Sequence, residues 1–226
     1  KATWLDRAWL VAGSASLLIT FAKVLCVIFA GSSPENPLLW PKLTAAAVIG
    51  YLLADLCSGI YHWAVDNYGG AATPIFGPQI ESFRAHHQRP SEITKVETAG
   101  ILSILAAAIT VAMIPVNVFL NDAVLLAFFL SFGGCGMFSL KFHAWAHTPR
   151  RRLPPLVAAL QDAGVLLSPS HHAAHHRPPY RGYFCTVNGV SDWVLDKGNI
   201  LAAAEVAIFR SAGVRPRSWE EPGQGW

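Results

Sequence analysis

Four stretches of nearly unbroken apolar residues, at 8–30, 43–63, 99–120 and 123–142, organise the chain. Each is long enough to cross a hydrocarbon core as a helix, which takes about 20 residues. The first ends at Gly31-Ser32-Ser33-Pro34 and the second at Asp66-Asn67-Tyr68-Gly69-Gly70, both rich in turn formers. Only Asn121-Asp122 joins the third to the fourth, which predicts a tight antiparallel hairpin. Pro115 predicts a kink or an early stop in the third. Trp4, Trp9, Trp40, Trp63 and Trp145 fall near the ends of the runs, where interfacial aromatics belong. From 143 to 226 the pattern is less apolar and reads as short helices and loops forming a cap, with 153–167 and 200–212 as amphipathic pieces. The expectation is an all-α polytopic membrane protein with about four transmembrane helices, folded as one domain over 1–226.

Composition sharpens this picture. The chain is 53% hydrophobic and 14% charged, with a mean hydropathy of +0.37, whereas soluble domains carry nearer a quarter charged residues. Four crossings would put the N-terminus, the 64–98 loop and everything after 142 on one side. Of the 17 Lys and Arg, only Lys23 and Lys42 lie elsewhere. The positive-inside rule makes that side the cytosol or an organellar equivalent such as a plastid stroma, and Lys23 can snorkel to the far interface. A net charge of +3, with no basic stripe interleaved with aromatics, gives no reason to expect nucleic acid. The four cysteines form no C-x-x-C pair and read as small core residues. Lys1 leads straight to Trp4-Leu5-Asp6-Arg7, so a targeting segment in the full gene product is expected to have been removed.

The chemistry lies in the histidines. All nine fall between 62 and 176, and the topology above, built without them, puts every one on the positive side. His62 closes the second span, His86 and His87 lie in the following loop, and His143 and His147 close the fourth. His171, His172, His175 and His176 follow. His143 and His147 share a helix face and can converge on one ion. In the H-x-x-H-H set His172 can pair with either of the others, while adjacent rings point about 100° apart and suit two neighbouring metals. His86-His87 repeats that arrangement. Eight or nine imidazoles exceed what one tetrahedral zinc needs and suit two ions of higher coordination. Iron, copper, nickel and zinc all accept imidazole, and iron among them activates oxygen at non-haem sites.

Carboxylates add a further layer. Asp55, inside the second span, is an expensive charge unless paired. With Gly59, His62 and Asp66 it forms one helical stripe, so Asp55 is expected to accept from a ligand ring and orient it. Asp66 is a candidate of the same kind; Asp162 and Glu81 are weaker ones, for which a surface role is the first expectation. Gly133, Gly134 and Gly136 are expected to permit close helix packing. No G-x-S-x-G, P-loop, G-x-G-x-x-G or H-E-x-x-H is present.

The stretch from Ala54-Asp55 through His62-Trp63-Ala64-Val65-Asp66 to Gly69 resembles the first box of the lipid desaturase family. Gln79-Ile80-Glu81-Ser82-Phe83-Arg84-Ala85-His86-His87 resembles the second. Phe142-His143-Ala144-Trp145-Ala146-His147, Leu160-Gln161-Asp162-Ala163-Gly164 and His172-x-x-His175-His176-Arg177 continue the likeness. Gly213-Val214-Arg215-Pro216-Arg217-Ser218-Trp219 is similar to the plant plastid branch. The resemblance implies two irons and O2, with His62, His86, His87, His143, His147, His172, His175 and His176 as ligands. It implies trans-3 desaturation of palmitate on phosphatidylglycerol in a plastid membrane, the site facing the stroma, with electrons from a ferredoxin-type donor. Arg84, Arg150, Arg151 and Arg152 could hold an anionic headgroup or an acidic donor. Alternatives are a plasmanyl (ether-lipid) desaturase, a lipid hydroxylase, or, in another class, a histidine-rich divalent-metal transporter or sensor. Two departures stand out: relatives commonly lack His171, and Ser191-Asp192 stands where the family pattern has Trp-Asn.

Overall fold

The computed structural model describes residues 1–31 and 37–220, and the turn expected at 32–34 lies outside them. The described residues form nine α-helices and three short 3-10 turns, without a strand. Four helices are long and apolar enough to span a membrane: α1 (Trp4–Gly31), α2 (Leu39–Asn67), α4 (Thr98–Phe119) and α5 (Ala123–Ala146). Between 28% and 39% of their apolar windows is buried within the chain, so most of that surface faces outward, as a lipid-facing helix requires. The helices outrun the apolar runs at several ends. α2 continues four residues beyond Trp63, carrying His62 and Asp66 on one rod. Pro115 neither stops nor breaks α4, which runs on to Phe119.

The helices belong to two compact units. The first holds 1–54 and 96–141, the second 55–95 and 142–226; α2 and α5 each begin in one and end in the other. In the first unit α1 packs along α4. Leu17, Ala106, Met113 and Met137 form one buried cluster, and Val24, Ile28, Leu43, Ala123 and Leu126 another. Backbone approach is closest at Gly13 and Gly50. A Cβ on Gly50 would lie 2.5 Å from the Phe128 carbonyl oxygen, and one on Gly13 3.1 Å from that of Ala106. Gly134 and Gly136, by contrast, have no described atom within 4 Å of an added Cβ, while one on Gly133 would lie 3.3 Å from Leu17 Cδ2, tighter than ordinary contact. The close-packing role expected of that glycine run thus holds at Gly133 alone of the three, because three glycines crowded into four residues cannot all face one neighbouring helix. Lys23 meets the need of its ammonium locally, donating to the Asn117 carbonyl at 2.8 Å near the end of α4. The Asn121-Asp122 joint behaves as a turn with a cap: the Asp122 carboxylate accepts the Leu125 N–H at 2.8 Å.

The second unit gathers α3 (Gly77–Gln88), α6 (Pro155–Asp162), α7 (Pro169–His175), α8 (Asp192–Lys197), α9 (Ile200–Ala212) and the ends of α2 and α5. Its core joins Trp63, Phe184, Cys185, Leu195 and Leu201. Cys185 alone of the cysteines is buried; Cys26 and Cys57 are exposed and Cys135 half-buried. The core reading of the cysteines is corrected accordingly: an apolar run in a membrane segment marks a lipid-facing surface as readily as an interior one.

Candidate metal centre

Each histidine-bearing helix is started or stopped by local chemistry. Pro78 opens α3, and Arg89-Pro90 closes it, since the residue before proline is pushed out of the helical region. His86 and His87 therefore sit on the last turn of a helix rather than in a loop, the expectation corrected by the 12 residues of α3. The α7 helix begins on Ser168, whose side chain accepts the His171 N–H at 3.2 Å, with Pro169 at the first helical position. That capped seven-residue helix carries His172 and His175 and ends on His176.

These elements bring nine side chains into two groups. His86, His143, His147, His172 and His176 form one; His62, Asp66, His87 and His175 form the other. Within each group one ligand atom per residue lies within 4.8 Å of all the rest. Two of the three adjacent pairs are divided between the groups: His86 from His87, and His175 from His176. His143 and His147 fall together. His171 belongs to neither; its Nε2 donates to Asp192 at 2.8 Å.

The groups pass a test of fit to metal. Nε2 atoms face each other at 2.9 Å (His143, His86), 3.1 Å (His176, His172) and 3.3 Å (His175, His87). Asp66 Oδ2 lies 3.3, 3.0 and 3.3 Å from the Nε2 atoms of His62, His87 and His175. Metal–nitrogen bonds of about 2.1 Å give ligand–ligand edges of roughly 3.0 Å in an octahedron and roughly 3.4 Å in a tetrahedron, close to these separations of 2.9 to 3.3 Å. His62 Nε2 and His147 Nε2 are buried without a hydrogen bond, an arrangement that costs energy unless something electropositive meets the lone pair.

Tautomers support the same reading. His62 Nδ1–H donates to the Phe184 carbonyl and His175 Nδ1–H to that of Gly182, each at 2.8 Å. A carbonyl can only accept, so a proton sits on Nδ1, and that tautomer leaves the Nε2 lone pair to face the group. Burial pushes His86 down to about 2 and His147 to about 4. It also holds His172 and His176 well below the ordinary imidazole range, with neighbouring rings adding to the effect. The rings are thus kept in the unprotonated form that ligation requires. His171 runs the other way, raised by its hydrogen bond to Asp192.

The carboxylates divide by role. Asp66 is placed among the ligand atoms rather than behind a ring. Asp55 touches no imidazole among its described hydrogen bonds: Oδ1 accepts the N–H groups of Val187, Asn188 and Gly189, and Oδ2 that of Ser191. Asp162 is on the surface in a two-point pair with Arg150, at 2.6 and 2.7 Å. Glu81 pairs with Arg84 at 3.0 Å. Sequence reasoning missed the anchors behind the site. Arg217 donates to the carbonyls of Val65, Asp66 and Gly69, closing the end of α2. The buried Glu205 accepts from Trp63, Ser218 and Trp219. Arg217, Ser218 and Trp219 lie in the Gly213–Trp219 motif, so that motif was a signal for them; Glu205 had none.

Four apolar spans and a set of eight buried or half-buried imidazoles with one buried carboxylate define a polytopic helical membrane protein equipped to hold metal. The lipid desaturase domain family matches residues 51–219. "Fatty acid desaturase 4-like 1, chloroplastic" from Arabidopsis thaliana is 44% identical over 226 residues, covering 100% of this chain and 75% of the relative. "Fatty acid desaturase 4, chloroplastic" from the same plant is 45% identical over 224 residues, covering 99% and 68%. Plasmanylethanolamine desaturase of Myxococcus xanthus is 34% identical over 185 residues, covering 77% and 63%. No solved structure matches the chain. The chain belongs to the lipid desaturase family, and its class is that of the oxidoreductases.

Proposed function

We propose that this chain is an O2-dependent membrane-lipid acyl desaturase that holds two irons. One would sit on His86, His143, His147, His172 and His176, the other on His62, Asp66, His87 and His175. The observation that carries the reading is the division of two adjacent histidine pairs between two groups whose spacings suit coordination edges. The finer assignment is a trans double bond at carbon 3 of palmitate on phosphatidylglycerol, made in a plastid membrane with the site facing the stroma and electrons from a ferredoxin-type donor. It is supported by the likeness to the chloroplastic relatives over nearly the whole chain and by the C-terminal motif from Gly213 to Trp219.

Two irons would supply the reduction of O2 and the removal of two hydrogens from the acyl chain. In balance, the chain loses two electrons and two protons, the donor adds two electrons and solvent two protons, and O2 leaves as two waters. The protein supplies position and dryness. His62, His143, His172, His175 and Asp66 are at most 1% exposed. The buried rings of Phe83 and Phe184 stand 5.0 and 5.7 Å from His62, an apolar wall that keeps water off the oxidant. Arg150 is already matched by Asp162 and Arg84 by Glu81, which leaves the exposed Arg151 and Arg152 as the better contacts for an anionic headgroup.

The vinyl-ether-forming reaction is the second reading, favoured by the likeness to the bacterial plasmanylethanolamine desaturase. Lipid hydroxylation shares the oxidant. A metal transporter fits less well, because the ligands close into two compact groups instead of forming a ladder of polar sites along several spans. Acyl profiling of cells expressing the chain tests the proposal against cells carrying His172→Ala. A new unsaturated lipid only in the former is expected; identical profiles at equal expression would remove the proposal.

A further inference from the structure

Resting on the two-metal reading, we propose that Asp55 is a positioning residue that aims His62 and His175, and so governs the group of His62, Asp66, His87 and His175 and not its five-histidine neighbour. Asp55 is fully buried on α2. Its carboxylate takes four backbone N–H groups of one loop: Val187 at 3.2 Å, Asn188 at 2.9 Å and Gly189 at 3.1 Å on Oδ1, and Ser191 at 2.9 Å on Oδ2. One turn along the helix, Ser58 Oγ accepts the Thr186 N–H at 2.9 Å and donates to the Asp55 carbonyl at 2.7 Å. Five links thus pin 186–191 to the helix that carries His62.

The other end of this loop does the aiming. The Gly182 and Phe184 carbonyls fix the Nδ1–H groups of His175 and His62, and both rings belong to the same group. None of the five histidines of the other group bonds to a described carbonyl of 182–191. The loop also needs holding: Tyr183 is in the left-handed region at φ 61°, which a tyrosine adopts only at a cost. Gly189, at φ 86°, makes the turn that presents successive N–H groups to Asp55, and a Cβ there would collide with the His171 ring. At Gly59, one turn after Asp55, an added Cβ would come within 2.5 Å of Cys185 Sγ. The small residue lets the loop lie against the helix.

Asp55→Asn keeps an oxygen for the three N–H groups but turns an amide donor toward Ser191 N–H or its neighbours. The experiment titrates the full chain in detergent with ferrous iron, comparing the unaltered protein, Asp55→Asn and the surface control Asp162→Asn. Amide exchange of the metal-free proteins is followed in parallel. Asp55→Asn is expected to weaken one of two iron equivalents by roughly 10–100-fold, leave the other near its original affinity, and speed exchange at 186–191. Two equivalents of unchanged affinity, equal loss of both, or unaltered exchange at 186–191 would each overturn the inference. Fewer than two equivalents in the unaltered chain would overturn the two-metal reading first. Should Asp55→Asn not fold, Ser58→Ala loosens the same loop more gently and is expected to weaken the same single equivalent; no selective loss there would overturn the inference as well.

Discussion

Asp66 shows how much a single residue changes the chemistry of this site. Its Oδ2 lies within 3.3 Å of three imidazole nitrogens, and it brings the one carboxylate to a candidate ligand set otherwise made of imidazoles. Asp66→Asn keeps the shape but removes that carboxylate. It is expected to lower iron affinity in this group by at least the roughly 10–100-fold found when a ligand's orienting partner is lost, read by metal analysis after dialysis. Retention of full metal content would show that the imidazoles suffice. Protons act on the same rings. In the metal-free protein His86, His147 and His172 have depressed values, so the unfolded chain binds more protons than the folded one once the pH drops below the ordinary imidazole range near 6.5. Stability tied to these rings is whole above that pH and is lost as the pH falls toward about 4 and about 2. The unfolding midpoint of the metal-free protein is expected to fall steadily from pH 7 to pH 5; a flat profile would mean that the rings are hydrated. His171 and Asp192 illustrate a different point. The resemblance marked each as an expected departure, and the two are hydrogen-bonded to each other at 2.8 Å.

At the scale of the elements, helix spacing rests on a few glycines that sequence inspection did not single out. A methyl on Gly50 would meet the backbone at Phe128 and Phe132, which cannot step aside as a side chain can. Gly50→Ala is expected to cost about 1–3 kcal/mol by overpacking. Gly134→Ala, in open space, is expected to be neutral or to gain up to about 1 kcal/mol from helix propensity. Thermal unfolding in one detergent compares them, and the reverse order would contradict the packing described. The short helices obey local rules: Ser168 and Pro169 begin α7, and Pro90 ends α3. Their caps set where His172, His175, His86 and His87 lie along the chain. Their aim is set by partners far off in sequence, Phe184 for His62 and Gly182 for His175.

In the whole molecule, every proposed ligand lies in one of the two compact units, the one made of 55–95 and 142–226. Metal that binds only the folded state stabilises it by RT ln(1 + [L]/Kd), about 2.7 kcal/mol at a hundredfold excess over Kd. Chelation is therefore expected to lower protection from amide exchange across 55–95 and 142–219 while leaving 4–30 and 98–119 unchanged. A uniform loss along the chain would argue that no local metal centre exists.

The apolar runs by themselves determined the four spans, because bilayer thickness fixes how many residues a helix needs and few other structures use so long an apolar run. The clustering and spacing of the histidines likewise marked rings that the structure brings together, since the periodicity of a helix is written in its sequence. Which rings share a group, the entry of Asp66 among the ligand atoms, the diversion of Asp55 to the 186–191 loop and the closure of α2 by Arg217 were decided only by the tertiary structure. Each depends on a contact across 20 to 150 positions, often to a backbone carbonyl or N–H. Every residue carries those groups alike, so the sequence has no letter for them.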